Sequence, residues 1–119
     1  MSIRSSRVAD LLRTEISQIL LRRVQDPRVR LTTVTSVSVS PDLKHASVWI
    51  SVVGDENLRS QSLDALRHAK GFIRSQLAKE LSNMKSIPDL RFELDRGAEY
   101  SQRISDLLED PDEYSNGSA

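Results

Sequence analysis

From Val37 to Ser40 and again from Ala46 to Val52 one set of apolar residues falls on every second position, and on both sides of the stretch 31–53 they fall on every third and fourth. A period of two belongs to a strand with one buried face. Steps of three and four belong to a helix with one buried stripe. The chain must therefore set a β-hairpin between helices and bury the two against each other. Leu31 to Ser40 is rich in Thr and Val and alternates cleanly through Val37-Ser38-Val39-Ser40. His45 to Val53 places Ala46, Val48, Ile50 and Val52 on one face and Trp49, Ser51 and Val53 on the other. Pro41-Asp42-Leu43-Lys44 joins the two runs, with proline and aspartate as turn formers.

Residues 6–24 are expected to form the first helix, with Val8, Leu11, Leu12, Ile16, Ile19 and Leu20 on one stripe and Ser5 or Ser6 as its N-cap. Asp26-Pro27 stops it, because proline lacks an N–H and disfavours helical geometry in the residue before it. After the loop Gly54-Asp55-Glu56-Asn57 a long helical stretch reaches about Asn83, carrying Leu63, Leu66, Ile73, Leu77 and Leu81. Leu90 to Asp95 form a third strand beyond Pro88, with Leu90, Phe92 and Leu94 on one face. A closing amphipathic segment holds Tyr100, Ile104, Leu107 and Leu108. Residues 110–119 are too poor in apolar side chains to fold and are expected to be a disordered acidic tail. The expectation is one α+β domain over residues 1–109, with a three-stranded sheet and helices on one face.

A chain of 119 residues can bury a core without staples. It has no cysteine, which excludes disulfides, zinc–thiolate sites and cysteine nucleophiles. No apolar run approaches membrane-spanning length, and the two arginines near the N-terminus are followed by no apolar stretch of the secretory kind. A cytoplasmic protein is expected. The net charge is zero, but it is unevenly spread. Residues 1–85 hold 14 basic against 8 acidic side chains, and residues 86–119 hold 3 against 9. Such polarity suits a basic working surface with an acidic tail. Chance segregation onto solvated faces produces the same pattern.

The long helical stretch contains a conflict at Ala69-Lys70-Gly71. At 100° per residue, Lys70 falls in the middle of the stripe made by Leu63, Leu66, Ile73 and Leu77. Burying an ammonium there is costly, and glycine inside a helix costs about 1 kcal/mol relative to alanine. Two geometries resolve it. Either the helix breaks and turns Lys70 outward beside Arg67 and Arg74, or it stays continuous and Lys70 snorkels to water along its stem. His45 and His68 have no carboxylate spacing that makes a metal motif.

These segments, in this order, resemble a known family, ribosome-binding factor A. Arg4-x-x-Arg7-Val8 through Ile19-Leu20 is similar to its first helix, and Asp26-Pro27-Arg28-Val29 to its helix stop. Ser40-Pro41-Asp42-Leu43 with Ala46-x-Val48 and Ile50-Ser51 resembles its hairpin, and Ala69-Lys70-Gly71 its Ala-x-Gly kink. Pro88-x-Leu90-x-Phe92-x-x-Asp95 is similar to its last strand, and Ile104-x-x-Leu107-Leu108 to its closing segment. Gly97 departs from the pattern, which commonly has serine there. The resemblance implies a type II KH-like fold of order α-β-β-α-kink-α-β. It implies a non-catalytic factor that binds the small (30S) ribosomal subunit and its precursor 16S rRNA, supports late maturation and 5′-end processing, and matters most in the cold. It also implies that the Gly-x-x-Gly clamp of ordinary KH domains is absent, so that folded RNA is the ligand rather than a gripped single strand.

The phosphate-contacting pool is Arg4, Arg7, Arg22, Arg23, Arg28, Arg30, Lys44, Arg67, Lys70, Arg74, Lys79 and Lys85. No cofactor, metal, membrane or small-molecule substrate is expected, and a monomer is the default. Two rival readings stand beside this one. A protein-interaction module would use an exposed strand or the Trp49 face. A small nuclease would need carboxylate clusters or a nucleophile–base pair, and no such spacing occurs.

Overall fold

Helix α1 runs from Ile3 to Arg22. It starts earlier than the spacing predicts, because Ser5 is only 1 % exposed and extends the buried stripe beyond Ala9, Leu12, Ile16, Ile19 and Leu20. Ser5 and Ser6 therefore sit inside the first turns and do not cap the helix. The computed structural model describes residues 3–97, so the closing amphipathic segment, the domain boundary at 109 and the acidic tail lie outside the described residues.

Helix α1 ends at Arg22, two residues short of the expected end at Val24 and ahead of the Asp26-Pro27 stop, and the chain does not pass directly into a strand. The Asp26 carboxylate accepts the Arg28 backbone N–H at 3.0 Å and starts a 3-10 turn over Pro27–Leu31. Val29 of that turn is buried in the core.

Strand β1 spans Thr32–Val39 and pairs antiparallel with β2, His45–Val52. The register shifts between Val34 and Ser36. The cause lies in the spacing of the valines. Val34 and Val37 are an odd number of residues apart, so an unbroken strand would put them on opposite faces. The bulge at Thr35 adds one residue to β1. Val34, Val37 and Val39 then face the same side as their partners Ile50, Val48 and Ala46. In the hairpin turn Asp42 accepts the Ser40 hydroxyl at 2.6 Å and the Lys44 N–H at 3.0 Å.

Asp55 caps α2, Glu56–His68, by accepting the Leu58 N–H at 2.9 Å. Helix α3, Lys70–Glu80, follows directly. Ala69 lies between them at φ −85° and ψ 0°, so the helix breaks where Lys70 would have been buried. The continuous helix is thereby excluded. The break lets α2 lie on β3 and the 3-10 turn while α3 turns to pack on α1. Ser62 of α2 donates to the Arg28 carbonyl at 2.9 Å and ties that helix to the turn.

Strand β3, Asp89–Leu94, joins parallel to β2 and completes the sheet in the order β1-β2-β3. A parallel pair needs a crossover, and α2 with α3 supplies it. One core fills the space between the helices and the inner sheet face. Leu12, Ile16, Val48, Ile50, Leu66, Ile73, Leu77, Leu90 and Phe92 are each at most 1 % exposed, and full burial of such a side chain stabilises by about 1.5–3 kcal/mol. The outer face stays open, with Ser36, Ser38, Trp49 and Arg91 exposed.

Candidate nucleic-acid interface

The twelve expected phosphate-contacting residues fall into three groups. The first group is bound to other parts of the chain. Arg28 grips Asp26 through Nη2 at 2.7 Å and Nε at 3.1 Å. The guanidinium beside it holds the Asp26 carboxyl down at about 2, and the Arg28 pKa rises in return. Lys70 lies 3.5 Å from the Asp89 carboxylate, across the start of β3. Arg74 donates from Nη2 to the Ile87 carbonyl at 2.8 Å. These contacts hold the helix break to the loop before β3. The structure therefore gives Lys70 and Arg74 intramolecular partners at the kink.

The second group is exposed and separate. Arg4 and Arg7 lie in the first two turns of α1, Arg67 in the last turn of α2 and Lys79 in the last turn of α3. Lys44 lies in the hairpin turn and Lys85 in the loop before β3. Lys44 also accepts the Asp89 N–H at its carbonyl, 2.9 Å away, so the hairpin turn and the helix break meet at the first residue of β3.

The third group shares a surface. A groove of about 780 Å³ opens between the C-terminal turns of α1, the 3-10 turn and the start of β1. Arg22 and Arg30 line it with the polar groups of Ser17, Gln25, Thr32 and Thr33, over Leu20, Leu21, Val24, Val29 and Val34. Among the described residues no carboxylate lines it. On the other side of α1 a smaller groove holds Arg22 and Arg23 with Gln18 and Gln76, and here Glu15 and Glu80 offset the charge. Among the described residues Arg22, Arg23 and Arg30 make no ion pair. Their position follows from local sequence. Arginines at a helix C-terminus are favoured by the helix dipole, and the 3-10 turn brings Arg30 back toward them.

The sequence placed these three arginines in the candidate pool without showing that they meet. It did not single out Gln25, Thr32 or Thr33, and the paired threonines just after a helix stop were the available signal. Among the described residues, the remaining cations on α2 and after β3 are engaged. Arg96 and Arg59 both bind Glu56, with Arg96 Nη2 at 3.0 Å and Arg59 Nη1 at 3.2 Å. That pair of arginines, Arg96 first, lowers the Glu56 pKa to about 2. Among the described residues there is no metal-holding group of His, Cys, Asp or Glu, and no helix is long and apolar enough to cross a membrane.

A helix, a hairpin, two helices broken at Ala69 and a parallel third strand define a type II KH-like α+β domain. The crystal structure of ribosome-binding factor A from Thermus thermophilus matches with a TM-score of 0.68 and 26 % identity, over 78 % of this chain and 98 % of that one. The solution structure of a candidate ribosome-binding factor A from Thermotoga maritima matches with a TM-score of 0.69 and 28 % identity, over 82 % and 92 %. A Thermus thermophilus ribosome-binding factor A model fitted into a cryo-EM map of a 30S complex matches with a TM-score of 0.61 and 28 % identity, over 73 % and 90 %. The family model for ribosome-binding factor A matches residues 4–108, and the chain belongs to that family.

Proposed function

We propose that this chain binds the small ribosomal subunit and its precursor 16S rRNA, and that it supports late maturation and 5′-end processing without catalysing a reaction itself. It acts as a cytoplasmic monomer and needs no cofactor. Family membership supports the ribosomal target, together with the 30S complex of the Thermus thermophilus relative. The observation that carries the RNA contact is the groove with Arg22 and Arg30 and, among the described residues, no lining carboxylate. Guanidinium groups make charge-assisted, bidentate contacts to phosphate, and the threonine and glutamine groups around them add hydrogen bonds that fix register without reading bases. Arg23 extends the cationic surface over the end of α1. Arg4, Arg7, Lys44, Arg67, Lys79 and Lys85 add outlying contacts to a large folded RNA, and Arg28, Lys70 and Arg74 hold the frame. Occupying folded RNA selects one of its conformations during assembly.

Filter binding to small subunits or precursor rRNA at several salt concentrations tests this. Three phosphates neutralised by Arg22, Arg23 and Arg30 predict a log–log salt slope of roughly −2 to −3 from these residues alone. Arg22→Gln with Arg30→Gln should make the slope shallower by about 1.5–2. Binding that ignores salt, or no binding, refutes the proposal.

A further inference from the structure

The groove beside α1 offers more than charge. Leu21 on its rim is 78 % exposed, and Leu20, Val24 and Val29 form an apolar floor beneath Arg22 and Arg30. Phosphates use the arginines but gain nothing from the leucines. A fully matched occupant is acidic and apolar together. This chain contains such a segment. Residues 104–113 carry Ile104, Leu107 and Leu108 at helical spacing, with five carboxylates (Asp106, Glu109, Asp110, Asp112 and Glu113) and no cation.

We propose that residues 104–113 dock in this groove in cis, with the leucines against Leu21 and Val24 and the carboxylates beside Arg22 and Arg30, and that they compete there with RNA. The proposal rests on the groove being the RNA contact and goes on to name what regulates access to it. Carboxylates and phosphates bind guanidinium in the same bidentate geometry, so one can displace the other.

The exit of the chain from β3 favours this docking. The register pairs Leu94 with Ile50, and Ile50 with Val34. Leu94 is therefore two strand spacings from Val34, roughly 10 Å, and Val34 lines the groove. Asp95 already reaches across to β1, where its carboxylate accepts the Thr35 hydroxyl at 2.6 Å. Ten residues separate Gly97 from Leu107, and a tether of that length has a root-mean-square span of about 17 Å, which exceeds that spacing. Such a tether holds its end at an effective concentration on the order of 1 mM. A groove contact with an intrinsic Kd of about 0.25 mM would then weaken RNA binding about five-fold.

Two measurements on the full chain test this. In the first, Asp106→Asn, Glu109→Gln, Asp110→Asn, Asp112→Asn and Glu113→Gln are combined. RNA affinity should rise about five-fold at low salt and converge with the parent as salt increases. In the second, the absence of native cysteine allows Leu21→Cys to be paired with Leu108→Cys. A disulfide needs Cα atoms within about 7 Å, so rapid intramolecular closure on mild oxidation reports docking. The control pairs Leu108→Cys with Ile3→Cys, since Ile3 is about 27 Å up the same helix from Leu21. The docked state predicts fast closure of the first pair alone. Equal closure of both pairs overturns the docking, and a rise in affinity alongside it would reflect general charge repulsion. Equal RNA affinity of parent and amide variant overturns the competition. If neither chain binds RNA the earlier functional reading fails, and the disulfide result still decides the docking.

Discussion

Replacing Gly71 with alanine separates two explanations of the helix break. If the break depends on the backbone freedom of glycine, alanine should destabilise the chain. If it arises from the burial conflict at Lys70, alanine should help. Gly71 is the second residue of α3 and does not have a positive φ. A Cβ built there meets nothing within 4 Å. The substitution therefore adds no clash and removes conformational freedom from the unfolded chain, which stabilises by about 0.4–1 kcal/mol. For a chain of this length the melting temperature should rise by roughly 2–5 °C. Gly54 is the natural contrast. It sits at φ +141°, and its added Cβ would lie 2.6 Å from Leu58 Cδ1, so Gly54→Ala should cost about 1–3 kcal/mol. Urea unfolding of both variants beside the parent gives the comparison, with unchanged m-values showing that the two ends of the transition are preserved. RNA affinity should be unchanged in Gly71→Ala, since Gly71 does not line the groove. A loss of stability in Gly71→Ala would refute the burial explanation of the break.

Arg74→Ala should cost about 1–3 kcal/mol because it strands the part-buried Ile87 carbonyl, whereas exposed Arg67→Ala should stay within about 0.5 kcal/mol; equal costs in urea unfolding would contradict the anchoring role. Asp26 and Glu56 have folded pKa values of about 2, lowered by Arg28 and by Arg96 with Arg59. In the unfolded chain they bind protons near 4, so their contribution is present above that pH and fades as pH falls from about 4 toward 2. Thermal melts across that range should show Asp26→Asn and Glu56→Gln flattening the acid limb, and an unchanged limb would refute the coupling. Thr35→Val removes the hydroxyl that, with the Gly97 N–H, lowers the Asp95 pKa. An NMR titration should then find the Asp95 carboxyl higher than in the parent.

The parts of the fold legible in the sequence were those set by periodicity. The alternation of β2 and the stripes of α1 and α3 follow directly from which residues must be buried. The conflict at Lys70 located the helix break, because a charge in an apolar stripe has a definite phase. The bulge at Thr35 is also written there, in the odd spacing of Val34 and Val37. The start of α1 was missed because a buried serine looks like a cap. The 3-10 turn left no periodic trace in five residues. The site was harder to read. Residues 17–34 form the groove across three elements, so its charge emerges only on folding. The partners of Lys70 and Arg74 lie 19 and 13 residues away, at Asp89 and Ile87, and no local pattern announces them.

The parallel pairing of β2 with β3 bears on how the chain comes to be folded. Helix α1 and the β1–β2 hairpin are complete once residue 52 is made, but the other edge of β2 has no partner until residues 89–94 follow. During synthesis at about 5–20 residues per second, that central strand presents a bare row of N–H and C=O groups for roughly 2–8 s. Both its edges are paired in the finished protein, and its composition, Ala46, Val48, Ile50 and Val52 on one side and Trp49 on the other, has no charged residue to discourage pairing with another chain. The hazard of misassembly is greatest in the newborn chain and closes when the last strand arrives. Slowing the crossover, as a lengthened loop at Ser82–Ser86 would, should lower the yield of soluble protein more than it lowers the stability of what has folded.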